Sequence, residues 1–337
     1  MTSPLFTIIL AVHRPPLLLP FAVESVLRQT VQDFELFIVC DGAPEETVKL
    51  AETYSAGDRR IRVYPFPKGE RHGETHRDTA LKDARSTYVA HLGDDDIWLP
   101  NHLSELECLL RACDFGNLLH ADIHPDGSVN VHIGKLEDPD TRNRMLTEKW
   151  NFFGPSSAGY RLAAYRSLPA GWSPAPDDIW TDLHMWRKFL ACEGLTVGTR
   201  YSVQCIKIPD SMRKETTLAE RLEETKRLAE KYASPRAQQD FQTSCFNLIL
   251  SAELKKRTKS LEKQLLQQQK LIRGLKRKNE KIGILEAKLH KVNTLKKSKS
   301  LQLKEKVAEL KSIRSSMSWR LTAPFRDIAS VFKSDRK

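Results

Sequence analysis

Asp94-Asp95-Asp96 is the stretch of this chain whose residue types most directly imply chemistry. Three adjacent carboxylates repel one another, so an exposed loop gains nothing from them. The simpler explanation is an acidic cap for a helix beginning near Pro100. The sharper one is an oxygen-ligand site for a hard divalent cation, Mg2+ or Mn2+, bridging to a substrate diphosphate. Two histidine patterns compete for attention. His72-Gly73-Glu74-Thr75-His76 sets two histidines at i and i+4, but the Glu lies midway, unlike the H-E-x-x-H of zinc proteases. His120, Asp122 and His124 alternate along one strand face and could chelate a metal, although a plain strand edge accounts for them. No G-x-G-x-x-G follows the first apolar run and no P-loop occurs, so dinucleotide oxidoreduction and ATP hydrolysis lack their usual footprint.

The elements that must position these residues follow from the apolar pattern. Phe6–Val12 is a short β-branched run, read as a buried strand, and Ala22–Gln29 follows at helical spacing. A second strand over Asp33–Val39 ends at the turn Asp41-Gly42-Ala43-Pro44, and a helix opens at Pro44-Glu45-Glu46. Arg60–Tyr64, a helix over Glu74–Ala84 and a strand over Thr87–Leu92 complete the first hundred residues. This alternation predicts an α/β fold with a mostly parallel sheet, whose ligands bind beyond the carboxyl ends of the strands. The acidic triplet sits at such an end. Past Ala121 the pattern loosens: a hairpin near Pro125-Asp126-Gly127, a helix over Thr181–Cys192, a strand over Arg200–Ile208, then helices over Leu218–Tyr232 and Ala237–Leu250.

The charge is divided unevenly along the 337 residues. Net charge is +11, yet Ser251–Lys337 holds 25 basic against 8 acidic side chains, leaving 29 and 35 in the first 250 residues. A slightly acidic globular body therefore precedes a strongly basic arm, and a uniformly basic coat for nucleic acid is excluded. The most apolar stretch, Leu5–Val23, is broken by His13, Arg14, Pro15, Pro16 and Pro20, and cannot span a membrane. It also lacks a secretory cleavage pattern, so a cytoplasmic location is expected. The six cysteines are scattered without a C-x-x-C pair, which suits reduced, buried thiols.

Taken in order, Thr7–Val12, Gln29-Thr30, Asp33-Phe34-Glu35-Leu36, Asp41-Gly42, Arg77-Asp78 and Gly93-Asp94-Asp95-Asp96-Ile97-Trp98-Leu99-Pro100 resemble a family 2 glycosyltransferase with the GT-A fold, over roughly residues 5 to 210. That resemblance implies a nucleotide-diphosphate sugar donor, a divalent metal and transfer with inversion. It implies that Ala11, Val12 and His13 form the first loop of the nucleotide site, with His13 where the family usually has an aromatic ring. Asp41 resembles the carboxylate that accepts the N–H of a uracil- or thymine-type base, although a turn before Gly42 would use an Asp for local reasons. Arg77 resembles a basic residue near the nucleotide, Asp94 the ribose or donor-sugar contact, and Asp95 with Asp96 the metal ligands. The family's catalytic base matches Asp182, in Trp180-Thr181-Asp182, with Asp178 the alternative and a helix cap the simpler role. Trp172, Trp180 and Trp186 would suit sugar stacking or core packing.

In the arm, every seventh residue from Leu254 reads Leu, Leu, Gln, Leu, Ile, Leu, Lys, Leu, Leu, Met, a sustained heptad predicting a coiled coil from about Ala252 to Ile313. The end, with Trp319, Leu321 and Phe325 among basic residues, resembles a motif of bacterial cell-surface polysaccharide glycosyltransferases and suits an anionic leaflet or a partner protein. The expected order is thus a GT-A domain over 1–212, a helical extension over 213–250, the basic coiled coil over 251–313 and a basic, aromatic tail over 314–337. The expected protein is an inverting, metal-dependent transferase, peripheral at the inner face of the plasma membrane, acting on a glycan or glycolipid acceptor. It would assemble as an oligomer, or with a partner protein, through the coiled coil, and no nucleic-acid partner is expected. The alternative is a basic coiled-coil scaffold or nucleic-acid-binding protein carrying a catalytically inactive transferase-fold module. Truncation after Leu250 should leave the globular part folded and yield monomers by light scattering. Removing residues 318–337 alone should keep the oligomer and abolish salt-sensitive co-sedimentation with anionic vesicles. An oligomeric Leu250 truncation would overturn the coiled-coil reading.

Overall fold

A computed structural model describes residues 3–315. The chain divides into two units, Met1–Leu254 and Lys255–Lys337. Strands β1 (Phe6–Val12), β2 (Phe34–Asp41), β3 (Ile61–Phe66), β4 (Tyr88–Gly93), β5 (Ile97–Trp98), β6 (Phe115–Ile123), β7 (Val129–Val131), β8 (Ala158–Arg161) and β9 (Val197–Lys207) form one mixed sheet in the first unit. Its order is β3-β2-β1-β4-β8-β6-β9-β5, with β7 paired to β6. The helices are α1 (Leu19–Leu27), α2 (Glu45–Gly57), α3 (Glu74–Leu81), α4 (His102–Leu110), α5 (Pro139–Thr147), α6 (Leu162–Ser167), α7 (Thr181–Ala191), α8 (Leu218–Lys231) and α9 (Pro235–Ser315).

Strands β1 and β2 are buried along nearly their whole length, because both faces of the sheet are covered. On β1 and β2 the alternation divides cleanly. Phe6, Ile8, Leu10, Leu36 and Ile38 pack with Leu19, Val23 and Val26 of α1, whereas Ile9, Phe37 and Val39 pack with the layer holding Leu81, Leu183 and Phe189. A third cluster sets Ile123, Ile206 and Ile208 against Leu228 and Tyr232, with Phe241, Cys245 and Ile249 from the start of α9. Truncating a buried Leu such as Leu36 to Ala would cost about 2–5 kcal/mol.

Several elements differ from the sequence reading. Helix α1 begins at Leu19 because Pro20 lies in its first turn, where a missing N–H breaks no helical bond. It ends before Gln29, whose buried amide donates to the Ser25 and Leu99 carbonyls and accepts from the Leu103 N–H. The strand carrying His120 and Asp122, β6, is no edge: β8 and β9 flank it, and β7 pairs with its end. Gly116 is required there, since a Cβ would lie 2.4 Å from the Gly198 carbonyl oxygen. The two units divide at Leu254 and Lys255, near the change of composition at residue 251, and the helix continues through that point. Helix α9 runs unbroken from Pro235 to Ser315, with only Gly274 and Gly283 as weak points and no proline after its first residue. In the second unit Leu261 and Leu275 are 57% and 60% exposed. No described helix is long and apolar enough to cross a membrane. Met317, Trp319, Leu321 and Phe325, on which the tail reading rests, lie outside the described residues.

Two buried histidines make the first unit acid-sensitive. His91 reaches the Tyr160 hydroxyl at 2.8 Å, and His102 stacks on Trp98 at 3.9 Å with Nδ1 3.2 Å from the Gln204 carbonyl oxygen. Burial lowers both rings to a pKa of about 3. The unfolded chain takes up a proton near pH 6.5 that each folded ring refuses until about pH 3. Their contribution is therefore full above pH 6.5 and is lost as pH falls. His102→Phe, which keeps the stack, should flatten the fall in urea-unfolding stability between pH 6 and 4 by about 1.4 kcal/mol per pH unit. Equal slopes in both proteins would show that folded His102 titrates.

Candidate active site

Strand β6 is antiparallel to β8, which is antiparallel to β4, so β6 and its parallel neighbour β9 run with β1, β2 and β4. The carboxyl ends of these five strands meet along one edge of the sheet. They open into a cleft of about 650 Å³. All nine residues singled out from the sequence (Ala11, Val12, His13, Asp41, Arg77, Asp94, Asp95, Asp96 and Asp182) line it.

The acidic triplet follows β4 directly, in a turn closed by the Asp96 N–H donating to the Gly93 carbonyl at 3.3 Å. Ser156 locks this turn: its hydroxyl accepts from the Gly93 N–H at 3.0 Å and donates to Asp96 Oδ2 at 2.5 Å. Asp94 and Asp96 are buried, and Asp95 faces the cleft. Burial, with the neighbouring carboxylates adding to it, pushes Asp94 up to about 7 despite Arg14, and Asp96 up to about 6 despite Lys207. Arg14 Nε lies 3.0 Å from Asp94 Oδ2, and its Nη1 lies 3.2 Å from Asp95 Oδ2 and 3.0 Å from Asp210. Arg221 of α8 reaches Asp95 at 3.4 Å and pairs with Asp210. Asp94 Oδ2 is buried without a hydrogen bond. An oxygen-only donor set, in which the buried Asp94 Oδ2 has Arg14 as its ion-pair partner and two carboxylates are pushed toward neutrality, fits a hard divalent cation. Arg14 is the resident cation that such an ion must displace.

Asp41 ends β2 and organises the loop after β3. Burial works to raise its pKa, but the Lys68 ammonium and the Gly69 N–H, donating at 2.7 Å, hold it below the usual carboxylate range. Gly73, at φ +69°, closes this loop so tightly that a Cβ would lie 2.7 Å from the Asp41 carboxyl carbon. Arg77 lies over Trp172 at 4.9 Å from the ring and donates to the His72 carbonyl at 2.8 Å, while its Nη1 is buried without a partner. His13 is exposed on the opposite lip, and partial burial of its ring, with Arg14 and Lys68 nearby, lowers its pKa.

Asp182 opens α7. Its Oδ2 accepts from Asn151 Nδ2 at 2.9 Å and its Oδ1 from the Leu183 N–H at 2.8 Å, while burial raises its pKa. Asp178 is exposed and does not line the cleft, whereas Asp177 pairs with Arg71. Of the three tryptophans, Trp186 is core, Trp172 is buried with an edge on the cleft, and Trp180, 48% exposed, lines the cleft. The His72–His76 pattern is dispersed: His76 stacks on Phe66 and bonds the Pro67 carbonyl oxygen.

Sequence reasoning placed Arg14 in the first loop without its role beside the triplet, and it missed Asn151, Ser156, Lys207 and Arg221. None stands in a motif, and only alternation along β9 hinted that Lys207 shares a face with Cys205. Lys207 is held charged by Asp96 and Asp122 against the burial that opposes it.

Residues 7–168 match the family model described as Glycosyl transferase family 2. It is 36% identical over 93 residues to the uncharacterized glycosyltransferase EpsJ of Bacillus subtilis (strain 168), covering 28% of this chain and 26% of EpsJ. It is 34% identical over 138 residues to the succinoglycan biosynthesis protein ExoW of Rhizobium meliloti (strain 1021), covering 40% of this chain and 42% of ExoW. The chain thus spans less than half the length of both curated relatives. Among solved structures it is similar to S. aureus TarS 1–349, with a TM-score of 0.49 and 15% identity over 67% of this chain and 64% of that one. The expected fold class, a mixed α/β sheet of the GT-A kind flanked by helices, is borne out, with a long C-terminal helix after it.

Because Arg14 occupies the charge that a cation would neutralise, Arg14→Ala should tighten Mn2+ binding to the nucleotide-free protein, on the order of tenfold by calorimetry. Weaker Mn2+ binding in Arg14→Ala would mean that the arginine does not compete for the triplet.

Proposed function

We propose that this chain is an inverting, metal-dependent glycosyltransferase that moves a sugar from a nucleotide-diphosphate donor to a glycan or glycolipid acceptor in surface polysaccharide synthesis. The observation that carries the reading is the convergence of the acidic triplet, Asp41, Arg77 and Asp182 on one cleft at the carboxyl ends of the strands. The family 2 domain and the likeness to a succinoglycan biosynthesis protein support the reaction class and the polysaccharide setting.

In this reading the Ala11–His13 loop and Asp41 hold the nucleotide base, and Asp94 meets the ribose or donor sugar. Asp95 and Asp96 would hold Mn2+ or Mg2+, which when bound would supply positive charge to the leaving diphosphate. Arg77 adds a second positive charge, and its unpartnered Nη1 is free to donate to the donor. Asp182 takes the proton from the acceptor hydroxyl as that oxygen bonds to the anomeric carbon and the bond to the diphosphate breaks. Its raised pKa makes it a better base than an exposed carboxylate, and Asn151 holds it in one orientation. Trp180 offers an apolar ring face to an acceptor sugar. The basic helix and tail would hold the enzyme as an oligomer at the inner face of the plasma membrane.

A panel of nucleotide sugars, assayed for donor hydrolysis and transfer with and without Mn2+, tests the reading. Asp95→Asn should keep the fold and lose metal-dependent turnover. Asp182→Asn should still bind donor nucleotide by calorimetry, while transfer falls about 10²-fold or more. Full activity in Asp95→Asn at saturating Mn2+ removes the metal assignment. Loss of nucleotide binding in Asp182→Asn makes that residue structural.

A further inference from the structure

The hairpin after β6 builds a second cluster of ligating groups in the same cleft. Strands β6 and β7 pair Ala121 with Val131 and Asp122 with Asn130, so the same register sets His132 across from His120. His120 and Asp122, two residues apart, share one face of β6 with His132 beside them, and the two imidazole centroids lie 5.6 Å apart. One ligand atom from each of the three residues lies within 4.8 Å of the other two. His132 Nε2 is 2.9 Å from Asp122 Oδ2, and His120 Nε2 is 3.5 Å from Asp122 Oδ1. That Oδ1 atom is buried and accepts no hydrogen bond, a state that usually calls for a partner. His120 Nδ1 lies 3.3 Å from the Ser157 hydroxyl, which orients the ring and leaves Nε2 as the atom turned to Asp122. Metal-binding histidines are commonly oriented through the second ring nitrogen in this way. His124, which the alternation along the sequence grouped with these residues, is not one of the three.

The surrounding charge indicates which cation fits. Lys207 stands opposite Asp122 in the β6–β9 register, and the carboxylates of Asp96 and Asp122 favour its charged form. Mg2+ and Ca2+ bind through several oxygens and negative charges, and a single carboxylate beside an ammonium offers them little. Two imidazoles and one carboxylate suit a borderline ion that bonds to nitrogen.

We propose that His120, Asp122 and His132 form a binding site for Zn2+ or a similar late first-row cation, distinct from the oxygen-only Asp94–Asp96 set. Three protein ligands leave positions for water or a ligand hydroxyl from the cleft. The two sites differ in the chemistry of their donors, so their ions are separable by titration. Binding is read without any nucleotide sugar, and its outcome is independent of the transferase reading.

The full-length protein, stripped of metal with a chelator, is titrated with Zn2+ by calorimetry beside Asp95→Asn, His132→Ala and His124→Ala. Wild type, Asp95→Asn and His124→Ala should each take up Zn2+ at this site. His132→Ala should bind it at least about tenfold more weakly while keeping the wild-type Mn2+ affinity. His132 is 45% exposed at its side chain, so the variant should retain the wild-type circular dichroism and melting temperature. His132→Gln, which keeps polar bulk, should behave as His132→Ala does. Unchanged Zn2+ affinity in both His132 variants, or loss of Zn2+ binding in Asp95→Asn, would overturn the proposal.

Discussion

Asp94 and Asp96 lie almost wholly out of water at the end of β4, and placing carboxylates side by side there is opposed both by lost hydration and by mutual repulsion. The surroundings answer with groups drawn from four other parts of the chain. Arg14 comes from the loop after β1, Ser156 from the turn before β8, Lys207 from the end of β9 and Arg221 from α8. Each brings positive charge or a donated hydrogen bond to one of three consecutive residues. The triplet therefore ties together segments that are otherwise joined only through the sheet, and α8 is fastened to the cleft through Arg221.

The same logic shapes the rim. Asp41 holds a loop by accepting from Gly69 and pairing with Lys68, and Gly73 permits the close approach. Asp182 is fixed by Asn151 from one side and by its own helix from the other. A carboxylate held from two directions has a defined orientation, which a positioned base requires. Lys207 lines the same cleft, and Asp96 at its oxygen-rich end and Asp122 beside the imidazoles both favour its charged form.

The second unit follows a different rule. Its apolar residues recur at seven-residue spacing and remain largely exposed along a helix dominated by charge. A seam of that kind is ordinarily buried by another helix, and its length exceeds what intrinsic propensity alone would favour in water. The basic side chains around it keep the surface soluble and give it an electrostatic sign opposite to that of the globular body.

Local pattern was enough to locate the strands β1, β2 and β4, the turn at Asp41-Gly42 and the acidic triplet at a strand end. Apolar runs, glycine turns and strand-end polar residues act within a few positions of themselves. The nine candidate site residues were singled out through the family resemblance, and the fold brings all of them to one cleft. The central place of β6 was not legible in that pattern: alternation marked His120 and Asp122 on a strand, but only pairing with β7, β8 and β9 sets it inside the sheet. Nor were the cations. Arg14, Lys207 and Arg221 look like ordinary solvated charges in the sequence, and only the sheet register and the packing of α8 bring them to the carboxylates. His132 replaced His124 beside His120 because cross-strand register, not alternation within one strand, decides which side chains become neighbours. The sequence by itself determined where acids would stand at strand ends. Tertiary structure decided what faces them, because pairing between distant segments depends on the burial of the whole sheet and not on any local preference.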